Sequence, residues 1–196
     1  MKNILAIYSS AAGEYSTSTQ LAKQWINQQS VNLIERDIAS SPINHYDEVT
    51  LSSFFSTDPE QLTGEQMQAL DTSDKLIGEV QEADYVVLAV PMYNFGIPST
   101  LKSWFDQIAR AGKTFTYGEN GPEGLLQNKK AVVILTRGGF YKDSDHDFMT
   151  PYLKQFLGFI GIADVQFIYA EGTAMGEESK ESAISNAKQL LEEVAV

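Results

Sequence analysis

Apolar residues fall along this chain in two alternating patterns: short unbroken runs, and stripes recurring at helical spacing. Asn3–Ser9 (NILAIYS) is a continuous run that exits into a Ser/Gly segment, which predicts a strand. Thr17–Gln29 places Leu21, Ala22, Trp25 and Ile26 on one stripe of an amphipathic helix. Val31–Arg36 reads as a second strand, and Ser40–Leu62, polar and broken by proline, reads as an irregular excursion. Thr63-Gly64-Glu65-Gln66 has the pattern of a capping box and opens a helix to about Glu82. Tyr85–Val90 (YVVLAV) is a third strand, apolar throughout and so covered on both faces. Pro98 starts a helix to Arg110, since proline fits the first turn. Gly112–Asn128, punctuated by glycine and proline, reads as a loop. Ala131–Leu135 is a fourth strand, Pro151–Phe159 a helix, Asp164–Tyr169 a fifth strand and Glu177–Val194 a closing helix.

Continuous apolar strands alternating with helices specify an α/β fold in which a parallel sheet carries helices on both faces. Five such strands in 196 residues favour the flavodoxin-like order 2-1-3-4-5 over a longer dinucleotide fold. The whole chain, 1–196, is expected to form one domain. In such sheets ligands gather at the carboxyl ends of the strands, near the point where strand order reverses. The segments of interest are therefore Ser9–Ser18, Pro91–Gly96 and Thr136–Asp143.

Composition narrows what those segments can do. The formal charge of −12 argues against nucleic acid and against anionic membranes as partners. No stretch has the length and apolarity of a membrane span, and the five-residue run behind Met1-Lys2-Asn3 is too short for a secretory signal. The absence of cysteine removes disulfides, thiolate catalysis and zinc–thiolate sites, and fits a cytoplasmic protein. His45 and His146 have no metal-ligand spacing and read as surface residues.

The first segment supplies Ser10, Ser16, Thr17 and Ser18 at a helix entrance and contains no Lys or Arg. Free N–H groups and the helix dipole favour an anion there. Neither the Walker phosphate loop nor G-x-G-x-x-G is present, so a single phosphomonoester suits the hydroxyls better than a triphosphate or pyrophosphate. Ser16 or Thr17 serving only as a helix cap explains the same residues. The second segment, Pro91-Met92-Tyr93-Asn94-Phe95, and the third, Thr136-Arg137-Gly138-Gly139-Phe140-Tyr141, follow neighbouring buried strands. Together they form two walls for a flat heteroaromatic ring with a monophosphate tail, which in this fold means FMN. Taken singly, Tyr93, Phe95, Phe140 and Tyr141 also read as core aromatics. Arg137 has two readings, electrostatic support for a ring gaining negative charge or a surface salt bridge.

These motifs carry a resemblance. "SS…YSTS", "PMYNFGIP", "ARAGKTFTYGENGPEGL", "TRGG" and "TPYLKQFLGFIGIADV" resemble, in order and spacing, the FMN-dependent NADH-azoreductase / NADH:quinone oxidoreductase family. The resemblance implies non-covalent FMN, NADH as electron donor, and ping-pong two-electron reduction of quinones and azo compounds by hydride transfer through flavin N5. It implies a homodimer with a flavin near the interface in each of two sites. Carried over by position, Ser10, Ser16, Thr17 and Ser18 hold the phosphate; Pro91, Met92, Tyr93, Asn94 and Phe95 border the ring; Thr136, Arg137, Gly138 and Gly139 line its pyrimidine side. Tyr117, Tyr141 and Phe159 shape the substrate pocket, with Phe159 supplied by the partner subunit. Some relatives carry His where Tyr141 stands, and the Ser40–Leu62 segment matches poorly. No nucleophile or metal is needed, because the cofactor carries the chemistry. A flavodoxin-type electron carrier is the alternative; the aromatic Gly112–Asn128 segment favours an enzyme, since a carrier leaves its ring edge open.

Overall fold

The structure is a computed structural model, and it describes residues 1–56 and 58–196. In chain order the strands are β1 Lys2–Tyr8, β2 Val31–Asp37, β3 Tyr85–Pro91, β4 Phe115–Gly118, β5 Gly121–Gly124, β6 Lys130–Thr136 and β7 Asp164–Ala170. The helices are α1 Thr17–Ile26, α2 Glu48–Phe55, α3 Gly64–Glu82, α4 Ser99–Ile108, α5 Met149–Phe159 and α6 Glu177–Glu192. The main sheet is parallel, in the order β2-β1-β3-β6-β7. This is the expected 2-1-3-4-5 order, renumbered because β4 and β5 form a separate antiparallel hairpin.

Strand pleating divides the core into two layers. Leu5 and Ile7, Val86, Leu88 and Val90, and Val133 and Leu135 point to the side carrying α3, α4 and α5. Ile4 and Ala6, Val87 and Ala89, and Val132 and Ile134 point to the side of α1 and α6. Each fully buried Val, Leu or Ile contributes about 1.5–3 kcal/mol relative to exposure, so the three central strands hold the sheet rigid. The Thr63–Gln66 capping box is present in both directions and starts α3.

Two expectations are corrected. The Ser40–Leu62 excursion contains α2, capped by the Asp47 carboxylate, which accepts from the Thr50 N–H at 2.8 Å. The Gly112–Asn128 segment contains the β4–β5 hairpin. The hairpin docks through glycine: a Cβ on Gly124 would lie 2.1 Å from the Gly161 nitrogen, and Leu126 N–H donates to the Ile160 carbonyl. Smaller differences are that α1 stops at Ile26 and that α5 begins at Met149, which puts Pro151 in its first turn.

Candidate functional site

The carboxyl ends of β1, β3 and β6 bring the three segments to one edge of the sheet. The ladder pairs Pro91 with Thr136, and Met92 N–H donates to the Thr136 carbonyl at 2.8 Å, so the loops after β3 and β6 leave side by side. The loop after β1 is tied to the loop after β3 by the Tyr93 hydroxyl, 3.1 Å from Ser10 Oγ and accepting from Ala11 N–H at 3.1 Å.

Ser16 caps α1, its Oγ accepting from Thr19 N–H at 3.3 Å, as the simpler reading of this loop required. It does more than cap. Ser16 and Ser18 are buried, their hydroxyls lie 3.1 Å apart, and the N–H groups of Thr17 and Ser18 have no acceptor among the described residues. Two free amides beside two buried hydroxyls at a helix N-terminus form a neutral cradle for one anion.

The loop after β3 is a tight turn. Tyr93 and Gly96 exchange both backbone hydrogen bonds, at 2.9 and 3.0 Å, and the residues between them, Asn94 and Phe95, have φ of 50° and 66°. Positive φ at both positions is the geometry of a primed hairpin turn, and it disfavours a residue as bulky as phenylalanine. The strain holds an exposed aromatic residue at the sheet edge, a placement associated with ligand sites. Phe95 is 55% exposed, and Tyr93 and Phe140 are exposed too, so none of the three is a core aromatic. Tyr141 crosses to meet Phe95 edge-on at 6.1 Å, linking the two walls.

In the loop after β6, the carbonyls of Arg137, Gly138 and Gly139 are taken by the N–H groups of Thr173, Ala174 and Gly172. The N–H groups of Gly138 and Gly139 have no acceptor among the described residues and remain as donors. Arg137 is not the surface salt bridge that one of its two readings expected. It is 1% exposed, and its guanidinium pairs with Asp147 at 2.8 Å and Glu171 at 3.1 Å while donating to Thr150 Oγ1 at 2.9 Å. A guanidinium so engaged makes no surface bridge; both Nη groups are spent on protein partners, while the buried Nε has none among the described residues. Burial acts to raise the Asp147 pKa, but hydrogen bonds from Thr150 and Arg137 prevail and hold it below the ordinary carboxylate range. Asp147 and Glu171 were missed in the sequence. Glu171 directly follows β7 at the same sheet edge, so the strand-end rule that selected the other three loops could have found it.

Tyr117 and Phe159 are not brought to this edge within one chain. Both pack on Phe115, at 5.5 and 4.3 Å between ring centroids. Phe159 ends α5, roughly 14 Å along the helix from the Arg137 contact with Thr150. Tyr117 is 75% exposed on its hairpin. A groove of ≈ 480 Å³, lined by His45, Gly96, Ile97, Phe148, Met149 and Tyr152 among others, opens beside the Tyr93–Gly96 turn. Among the described residues there is no acidic, histidine or cysteine cluster that could hold a metal, and no helix long and apolar enough to cross a membrane.

The sheet order and its ligand-edge loops define a flavodoxin-like protein, and a family model described as flavodoxin-like fold matches residues 2–194. The FMN-dependent NADH:quinone oxidoreductase 1 of Photobacterium profundum is 48% identical over 199 residues, covering all of both chains. The FMN-dependent NADH:quinone oxidoreductase of Vibrio parahaemolyticus is likewise 48% identical, over 196 residues and all of both chains. A solved structure of an FMN-dependent NADH-azoreductase from Bacillus anthracis, in complex with FMN, superposes with a TM-score of 0.87 at 26% identity and 98% coverage of each chain. The chain belongs to the family of FMN-dependent NADH:quinone oxidoreductases.

Proposed function

We propose that residues 1–196 are one FMN-binding domain of a cytoplasmic, homodimeric enzyme that uses NADH to reduce quinones and azo compounds. The observation that carries the reading is the pairing of two sets of unsatisfied donors at one sheet edge. Thr17 and Ser18 amides lie with buried hydroxyls at one position, and Gly138 and Gly139 amides at another, with exposed aromatics of the Tyr93–Phe95 turn alongside.

The residues present fit FMN. The first cradle would hold one phosphate, with Ser10, Ser16, Thr17 and Ser18 supplying hydroxyls and amides, and nothing in it provides the glycine-rich approach a pyrophosphate needs. Pro91, Met92, Tyr93, Asn94 and Phe95 would border the ring. Thr136, Gly138 and Gly139 would line its pyrimidine side, where preformed N–H dipoles stabilise developing negative charge without reorganising. Bound there, FMN would supply the two-electron chemistry that links reduced nicotinamide to the acceptor. The turn and the groove beside it offer acceptors a largely apolar, aromatic surface, with His45 and Lys102 at the groove.

Tyr117 and Phe159 enter this reading through a second subunit. A hairpin carrying a largely exposed tyrosine, remote from its own chain's ring site, suits contribution across a dimer interface to the partner's pocket.

Anaerobic stopped-flow tests the reading. The purified protein is expected to be yellow, to release FMN rather than FAD on denaturation, to bleach with NADH and to recover colour on mixing with a quinone or azo dye. Release of FAD, or bleaching without reoxidation by either acceptor, ends it.

A further inference from the structure

We infer that Glu171 is a positioning residue, whose carboxylate sets the loop after β6 into its ring-binding shape before any cofactor arrives. The inference rests on the FMN reading above. One oxygen, Glu171 Oε1, accepts from Arg137 Nη1 at 3.1 Å, from Tyr141 N–H at 2.8 Å and from Lys142 N–H at 2.9 Å. The loop is therefore pinned at both ends, at Arg137 by an ion pair and at Tyr141–Lys142 by two charge-assisted hydrogen bonds. Between the pins, the carbonyls of residues 137 to 139 are consumed by the segment after β7, and the free Gly138 and Gly139 amides follow from that arrangement.

The same pin aims Tyr141. Its ring meets Phe95 edge-on and lies so close to Gly139 that a Cβ there would be 3.2 Å from the tyrosine ring. Freed from Glu171, the Tyr141 and Lys142 amides lose their acceptor, and the ring loses the backbone anchor that holds it across the slot. A glutamate serves where a neutral acceptor would be weaker, because three donors converge on one oxygen and a full negative charge strengthens all three bonds. The effect belongs to pre-organisation: the ring site is assembled by the fold rather than by the ligand.

The test separates the ring part of the site from the phosphate part. Apoprotein is titrated with FMN and with riboflavin, which lacks the phosphate, and binding is read by flavin fluorescence. Glu171→Ala is expected to weaken both ligands by the same factor, about tenfold or more, and to shift the midpoint potential of the bound flavin. Glu171→Gln, which keeps an oxygen at the same place but loses the charge, is expected to weaken both ligands less than Glu171→Ala does, and both by the same factor. The double variant Ser16→Ala, Ser18→Ala must weaken FMN while sparing riboflavin. If it spares both, the FMN assignment of the cradle fails, whatever Glu171 does. If it behaves as expected while Glu171→Ala leaves riboflavin affinity and potential unchanged, the positioning role fails alone. Should Glu171→Ala not fold, hydrogen exchange on the unsubstituted apoprotein decides. Slow exchange at the Tyr141 and Lys142 amides supports the preset loop, and fast exchange that slows only when FMN is added overturns it.

Discussion

Removing the two hydroxyls of the phosphate cradle together should cost FMN, but not riboflavin, about ten- to a hundredfold in affinity. The structure constrains that magnitude. Ser16 Oγ accepts the cap bond from Thr19 N–H and lies 3.1 Å from Ser18 Oγ, so one hydroxyl proton is spent between the two serines. One remains for an oxyanion. The hydroxyl pair therefore offers a phosphate one charge-assisted hydrogen bond, worth about 1.5–3 kcal/mol, and not two. Either serine alone can supply that bond once the other is gone. Ser16→Ala and Ser18→Ala are each expected to cost only about threefold, with the loss concentrated in the double variant, a coupling that a double-mutant cycle reads directly. Ser16→Ala also removes the helix cap, about 1 kcal/mol of folding stability, so thermal unfolding of each apoprotein must accompany the titrations. Additive losses of tenfold for each single variant would refute the shared-proton geometry. An equal loss for riboflavin in the double variant would refute the phosphate assignment itself.

Three further outcomes are expected. Flavin reduction should be faster with NADH than with NADPH, the margin shrinking as salt is added. No Lys or Arg lies between Asp37 and Asp74, Arg137 is buried in its ion pairs, and Lys102 beside the groove is bound to Asp106; faster reduction by NADPH at low salt would exclude this. Tyr117→Phe and Tyr141→Phe should alter the ranking of quinone against azo acceptors while leaving reduction by NADH intact, because both rings shape surface and a phenol is a slow acid at neutral pH. Loss of reduction by NADH in Tyr141→Phe would require a proton role for it. Asp147→Asn should lower stability by about 2–4 kcal/mol at neutral pH, because it breaks a buried pair. The depressed carboxyl stabilises the fold fully above its unfolded pKa of about 4, and that contribution is lost as pH falls through the lower folded value. The parent and variant unfolding curves should therefore converge in acid, and a constant difference down to pH 2 would contradict the assignment.

The parts of the fold legible in the sequence are those whose local signal is strong enough to stand without tertiary help. The unbroken runs of β1, β3 and β6 and the Thr63–Gln66 box are of this kind. The hairpin is not. Gly118, Gly121, Pro122 and Gly124 read as loop, and a pair of four-residue strands has little stability of its own. It exists because Phe115 is buried against Phe159 and Gly124 lets the backbone close on Gly161. Likewise α2 (EVTLSSFF) is short and rich in serine, and its order comes from the Asp47 cap and from Phe54, which packs on Tyr46 and under the Arg110 guanidinium. Both misses are tertiary decisions overriding a weak or contrary local preference.

The candidate site divides along the same line. Its donors were legible because serines at a helix entrance and paired glycines after a buried strand are local patterns. The role of Arg137 was not, because an arginine's task is set by its partners, and these lie 10 and 34 residues away. Of one guanidinium and two carboxylates, the cluster keeps a formal negative charge, and the fold tolerates it by giving Glu171 the two backbone amides of Tyr141 and Lys142. Those amides belong to the loop that closes the ring slot. Burying Arg137 leaves Lys142 as the exposed cation of this loop, so the expected preference for NADH rests on the acidic Asp37–Asp74 stretch. The pairing also leaves Glu171 with acceptor capacity for the loop, so in the proposed reading this one carboxylate ties the Arg137 ion pair to the rigidity of the ring site.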